Sequence, residues 1–165
     1  MDKITAIKGI KDILPSETPV WRKVEHVARN TFECFGFCEI RTPIMEKTAL
    51  FQRSIGETTD IVEKEMYTFR DRDDELLTLR PEATASVIRA YIEHNLFAHD
   101  PITKLYTMGP MFRRERPQKG RFRQFHQIDV EVFGDDQPAS DAEVIFMLMH
   151  FLNLLGIDQL SLEIN

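Results

Sequence analysis

Two cysteines in 165 residues, Cys34 and Cys38, are too few for a disulfide framework, and nothing else points to secretion. No apolar run approaches the ~18 residues of a membrane span, and the opening MDKITAIKG lacks a signal-peptide core. A reduced, cytoplasmic setting, with no membrane partner, is therefore expected. No GxxxxGK[ST] loop and no GxGxxG fingerprint occur, which excludes Walker and Rossmann nucleotide sites. The histidines, at 26, 94, 99, 126 and 150, fall into no metal-ligand spacing with the cysteines, so no metal site is expected. Cys34-x-x-x-Cys38 reads as buried packing in preference to redox chemistry. No serine-nucleophile motif, internal repeat, low-complexity stretch or flexible linker is present.

What is there is a globular composition of 42% hydrophobic and 29% charged residues, which suits one domain or the larger part of one. The net charge of −6 argues against sequence-blind affinity for DNA or anionic membranes. Yet Arg113, Arg114, Arg116, Lys119, Arg121 and Arg123 face Glu115 alone within one short segment. A compact cationic segment on an acidic chain reads as a site for a specific polyanion.

Hydrophobic spacing predicts three helices. The first starts near Ser16 or Thr18, with Pro19 in its first turn, and carries Val20, Val24, Val27, Ala28 and Phe32 up to Gly36. The second follows Pro81, with Val87, Ile88, Tyr91 and Ile92. The third opens at Ser140-Asp-Ala-Glu143, a capping-box pattern, and runs to Gly156. Strand-like runs lie at Phe37–Arg41, Met66–Arg70, Glu75–Leu79, Thr103–Phe112, Arg123–Phe133 and Leu160–Ile164. Arg70–Asp74 is a charged turn that could close a hairpin. The two long runs flank the cationic segment, whose Pro117-Gln-Lys-Gly120 supplies turn residues, and suggest an antiparallel pair. The fold class is α+β, an antiparallel sheet flanked by helices.

Side chains of a strand alternate between faces. Gln124, His126, Ile128, Val130 and Val132 form a face that turns apolar and should pack on a helix. Phe125, Gln127, Asp129, Glu131 and Phe133 form the other. Such a polar face could simply be wet. Beside an arginine-rich loop it could also floor a pocket, with arginines for phosphate, a ring for a base, and carboxylates or an amide for an ammonium or imidazole. In Leu79-Arg-Pro-Glu-Ala-Thr84, Glu82 and Thr84 stand where a strand gives way to a helix. They could cap that helix, or hold the ammonium of a ligand.

The stretch from Phe112 to Gly134 resembles motif 2 of the class II aminoacyl-tRNA synthetases. Its pattern is Phe-Arg-x-Glu, a loop, then Arg-x-x-x-Phe-x-x-x-Asp, filled by Arg113, Glu115, Arg121, Phe125 and Asp129. The segments Arg116-Pro-Gln-Lys-Gly-Arg121 and Arg123-Gln-Phe-His-Gln127 are similar to the histidyl-tRNA synthetases in particular. Lys8-Gly-x-x-Asp12-x-x-Pro15 resembles that family's opening, and Leu79-Arg-Pro-Glu-x-Thr84 its amino-acid loop. The first helix, its strand and Thr42-Pro43 resemble motif 1, a dimer element. The resemblance places motif 1 at about 16–43, the amino-acid loop at 79–84 and motif 2 at about 104–134.

That resemblance implies activation of L-histidine by ATP, with Mg²⁺ accompanying the nucleotide, and transfer to tRNA(His) by a homodimer. Arg113 would contact the ATP α-phosphate, Glu115 the adenine amino edge and Arg121 the γ-phosphate, while Phe125 stacks on adenine. Glu82 and Thr84, with Ala83 between them, would bind the α-amino group of histidine, and Gln127 and Glu131 would complete that pocket. Ala83 stands where the family often has glycine. Motif 3 and the anticodon-binding domain are absent after Asn165, so the chain is expected to be the N-terminal part of the catalytic domain and incomplete as a catalyst by itself. The alternative is the synthetase-like regulatory subunit of ATP phosphoribosyltransferase, a histidine sensor. Those paralogues commonly carry Asp after Arg-Pro and a degraded motif 2, whereas Glu82 and the set from Arg113 to Glu131 are intact here. A bare RNA-binding module would explain the loop but not the Phe125–Glu131 face.

Overall fold

The apolar stripe beginning at Val20 winds into a helix that supports one face of a sheet. The computed structural model describes residues 3–56, 65–116 and 118–164, and in it α1 spans Thr18–Cys34 with Pro19 in its first turn. Neither Ser16 nor Thr18 caps α1. Glu17 holds the N-cap position without a side-chain bond to the helix, and its carboxylate accepts the Leu14 N–H at 3.2 Å. Gly36 ends the turn after α1 at φ +81°, a left-handed conformation that glycine adopts without a steric penalty.

The central sheet contains β1 (Cys38–Glu39), β5 (Thr103–Phe112) and β6 (Gln124–Phe133), in the order β1-β5-β6. The expected antiparallel pair is β5–β6, in register from Thr103 opposite Phe133 to Phe112 opposite Gln124. The sheet as a whole is mixed, however, because β1 runs parallel to β5 with Cys38 beside Leu105. Alternation of side chains is the same in either direction, so the sequence pattern cannot report this.

A second, antiparallel sheet contains β2 (Met45–Lys47), β3 (Tyr67–Arg70) and β4 (Leu76–Leu79), in the order β2-β4-β3. The charged turn does join β3 to β4, and the Asp71 carboxylate accepts the N–H groups of Asp73 and Glu75 at 2.9 and 3.1 Å. This is the local bonding that makes Asp a turn residue. Strand β2 and helix α2 (Thr48–Ile55) have no sequence-level expectation, being too short to develop a period.

Helix α3 spans Thr84–Glu93, followed by a 3-10 turn at Leu96–Ala98, and α4 spans Pro138–Leu154. The Ser140 capping box does not form. The helix begins two residues earlier, the Asp135 carboxylate accepts the Gln137 N–H at 3.0 Å and the Ser140 hydroxyl, and Glu143 pairs with Lys104 of β5. The run at 160–164 forms no strand, since it meets no ladder partner among the described residues. Pro117 lies outside the described residues. Among them, no helix is long and apolar enough to cross a membrane.

Helices α1 and α4 cover one face of the central sheet. Ala28, Phe32, Phe37, Tyr106, Met147 and Phe151 form the main core, with Val130 and Val132 packed against it. The apolar half of the β6 alternation is thus the helix side, as the sequence indicates. Phe32 meets Tyr106 edge-on at 5.4 Å and Phe151 at 5.6 Å. The Tyr106 hydroxyl donates to Glu33, and burial followed by that carboxylate pushes its pKa up to about 12. A smaller cluster of Phe51, Met66 and Ala85 ties α2 to α3. Cys34 and Cys38 were expected to be buried; both are free and exposed, because the turn between them puts Phe37 inward instead. Phe32→Ala should lower stability by ~3–5 kcal/mol, read from the urea midpoint at unchanged slope.

Candidate active site

The face of β6 turned away from the helices carries Phe125, Gln127, Asp129, Glu131 and Phe133. Opposite them on β5 stand Met111, Gly109, Thr107, Leu105 and Thr103. Gln127 Oε1 and Asp129 Oδ2 are buried and have no hydrogen-bond partner among the described residues. Burial pushes the Asp129 carboxyl up to about 6, with Glu131 and then Glu82 adding to the shift and Arg80 opposing it. Tyr91 of α3 stacks on Phe133 at 4.1 Å and closes that end of the floor.

Arg80, at the end of β4, is 3% exposed. Its Nε donates to the Pro110 carbonyl at 3.0 Å, and its Nη1 to the carbonyl and hydroxyl of Thr42, both at 3.1 Å. Its backbone N–H donates to Ile44 and its carbonyl accepts from Phe112, each at 2.9 Å. The guanidinium lies where a side chain at 109 would stand, which is why Gly109 has none. Arg80 therefore fixes the next four residues against β5. The Arg113 Nε donates to the Pro81 carbonyl at 2.9 Å, and the Glu82 carboxylate accepts the Ala85 N–H at 3.0 Å. Thr84 is the first residue of α3. Ala83 is fully buried at φ −100°, an ordinary conformation for a residue with a side chain.

Beyond β5, the Arg113 guanidinium sits 5.2 Å from the Phe125 ring centre, a cation–π contact. Glu115 accepts from Arg121 Nη1 at 3.3 Å, with the Glu115 side chain 18% exposed and that of Arg121 65%. Arg123 Nε donates to the Glu115 carbonyl and its Nη1 to that of Lys8, both at 3.3 Å. The Arg123 backbone N–H reaches Gly9 at 2.7 Å, and Lys11 lies 4.5 Å over Phe122. The opening segment is thus laid against the basic loop. Gly120, at φ +81°, turns that loop between Gln118 and Arg121.

One strand face therefore joins two unlike ends. Arg113 and Phe125 make a cationic, aromatic end; Glu82, Asp129 and Glu131, with the neutral Gln127 amide among them, make an acidic one. Glu115 and Arg121 pair with each other beside the first. The sequence reading gives neither Arg80 nor Asp129 a substrate contact: Arg80 stands only as a member of the Leu79–Thr84 segment, and Asp129 only as the last residue of the motif 2 pattern on a polar face.

A family model described as Histidyl-tRNA synthetase matches residues 9–165. The chain belongs to the histidyl-tRNA synthetase family. A histidine–tRNA ligase of Desulfosudis oleivorans is 64% identical over 159 residues, which cover 96% of this chain and 38% of that protein. The crystal structure of apo S. aureus histidyl-tRNA synthetase superposes with a TM-score of 0.80 at 40% identity, covering 94% of this chain and 36% of that one. An ATP phosphoribosyltransferase regulatory subunit/histidyl-tRNA synthetase from Bacillus halodurans shares the fold, with a TM-score of 0.79 at 22% identity over 94% of this chain and 39% of that one. The chain thus spans well under half the length of the histidyl-tRNA synthetases it matches. Within this member of the family, Gly109→Ala should drive a methyl into Arg80 Nη2 and cost about 1–3 kcal/mol of stability in urea unfolding, as overpacking does.

Proposed function

We propose that this chain supplies the ATP- and histidine-binding floor of a histidine–tRNA ligase, and that motif 1, the amino-acid loop and motif 2 lie at about 16–43, 79–84 and 104–134. The observation that carries this reading is the charge polarity along the β6 face, with the Arg113 cation over Phe125 at one end and the acidic Asp129 and Glu131 at the other. Adenylate formation needs that polarity, since it brings a polyanion and an amino acid's ammonium side by side. The histidine carboxylate attacks the α-phosphorus of ATP, pyrophosphate leaves, and the acyl group then passes to the terminal ribose of tRNA(His).

In this reading the Arg113 guanidinium binds the α-phosphate, where its planar fork matches two oxygens and its charge is permanent. Phe125 stacks on adenine, Glu115 takes the adenine amino edge, and Arg121 leaves Glu115 for the γ-phosphate. Glu82 and Thr84 hold the α-amino group across Ala83, and Gln127 and Glu131 complete the histidine pocket. The work of these groups is positioning and neutralisation of developing charge. Among the described residues, no cluster of His, Cys, Asp and Glu could hold a metal ion. Magnesium, which the family resemblance implies, would accompany the ATP phosphates.

Relatives at 60–64% identity that carry the ligase name favour this function over the regulatory-subunit alternative, for which only a shared fold speaks. The free, exposed cysteines suit a reduced cytoplasm. A homodimer through the first helix is supported by Val20, 66% exposed on α1, and Ile128 on the helix side of β6. Ile128 lines a cleft of about 490 Å³ together with Trp21, Val24 and His126, and Val20 stands on the helix that walls it.

Pyrophosphate exchange by the natural gene product carrying this sequence tests the function. Arg113→Lys should lose ~10²–10³ in rate, because an ammonium cannot reproduce the fork; a lysine variant within twofold of wild type removes Arg113 from the reaction. Glu131→Ala should cost about 2 kcal/mol of histidine binding by calorimetry. Sedimentation at rising concentration should show twice the mass of one chain, and a persistent monomer counts against the dimer.

A further inference from the structure

The site proposed above uses Gln127 and Glu131 and passes over the residue between them. We infer that Asp129 is a specificity-determining residue of this site, a carboxylate set into the floor beside Gln127, Glu131 and Glu82, whose charge selects a substrate carrying an ammonium group. The inference rests on the histidine-binding reading and adds one residue and one selection rule to it.

Asp129 Oδ2 is sealed from solvent with no hydrogen-bond partner among the described residues, and Gln127 Oε1, two residues away on the same face, is in the same condition. A buried carboxylate of this kind needs a cation, donors or a proton. The charged groups that face it are Glu131 from its own strand, Glu82 from the loop before α3 and Arg80 from the end of β4. Arg80 cannot settle the balance alone. Its Nε and Nη1 are committed to Pro110 and Thr42, and it shares its one charge between Asp129 and Glu46.

An empty floor therefore takes up a proton as the pH falls through about 6, and Asp129 is the group that carries it. An arriving ammonium supplies the missing positive charge, and the proton leaves to solvent. Affinity for an ammonium-bearing ligand must then rise with pH across that range, by about tenfold between about pH 5 and pH 7. A ligand with the same ring and carboxylate but no amine gains nothing from the change.

The folded-state pKa lies above the ordinary carboxyl value, so the fold binds more protons than the unfolded chain there. Stability is then lost as pH rises from the ordinary value through about 6. Asp129→Asn should raise the melting temperature at about pH 7.5, with the gain fading as the pH falls towards 4. A residue that merely braced the sheet would lower it.

The test compares histidine with 3-(imidazol-4-yl)propionate, its counterpart lacking the amine, by calorimetry on the natural gene product from about pH 5 to pH 8. Only histidine carries an ammonium beside its ring, which lowers its imidazole pKa below that of the amine-free ligand, so each free ligand is titrated and its affinity is referred to a single imidazole protonation state before the ratio is taken. Wild type should show that ratio rising about tenfold. Asp129→Asn should flatten the rise and lose about tenfold in histidine affinity at pH 7, while the amine-free ligand stays within twofold. A flat ratio in wild type, or an unchanged slope in Asp129→Asn, overturns the role of Asp129 alone. Absence of histidine binding by wild type overturns the histidine reading itself.

Discussion

Burying a guanidinium costs several kcal/mol unless its donors are met. Arg80 meets them with main-chain and hydroxyl oxygens of Pro110 and Thr42, drawn from separate parts of the chain. Those bonds hold the end of β4 against β5 and against the segment that follows β1. Everything that gives the site its shape hangs from that joint. Pro81 receives Arg113, Glu82 caps the first turn of α3, and Gly109 keeps its side of β5 clear so that the guanidinium can lie there. The second sheet contributes little core, yet through Arg80 it sets where the anionic and cationic ends of the floor stand relative to each other.

The helix side of the sheet does the opposite work. Phe32, Tyr106, Met147 and Phe151 make it dense and apolar, and burial of each Phe or Met side chain adds about 1.5–3 kcal/mol. That stabilisation lets the other face remain poorly compensated. Asp129 and Gln127 carry buried oxygens without partners, and three carboxylates gather where one guanidinium is present. A fold selected for stability alone would not keep that arrangement. One strand, β6, holds both conditions at once, because alternation separates its two faces.

This separation is also why much of the site is legible in the sequence. The β6 run alternates without interruption, its flanking loop concentrates one sign of charge, and β5 is long enough to pair with it. Each of these signals is local. Parallel pairing of β1 is not local, and neither is the position of Arg80, whose partners stand 30 and 38 residues away. The start of α4 misleads for a related reason. Ser140 and Glu143 have the spacing of a capping box, but Lys104, brought in by the sheet, takes Glu143, and Asp135 takes the helix end. Tertiary charge pairing overrides a local motif that is worth only about 1 kcal/mol.

The two readings of Glu82 that the sequence leaves open turn out to be compatible. A carboxylate has two oxygens and about four lone-pair sites. The Ala85 N–H occupies Oε1, and that bond removes the rotational freedom the side chain would otherwise lose when a ligand binds. Capping therefore leaves Glu82 oriented and able to accept from the ammonium proposed for this site. The same logic extends along the floor. Glu82 is held by a helix, Arg113 by the Pro81 carbonyl and the Phe125 ring, and the backbone between them by Arg80. Each group that would meet a charged substrate is oriented before the substrate arrives, and preorganised charge acts without a reorganisation cost at the moment of reaction.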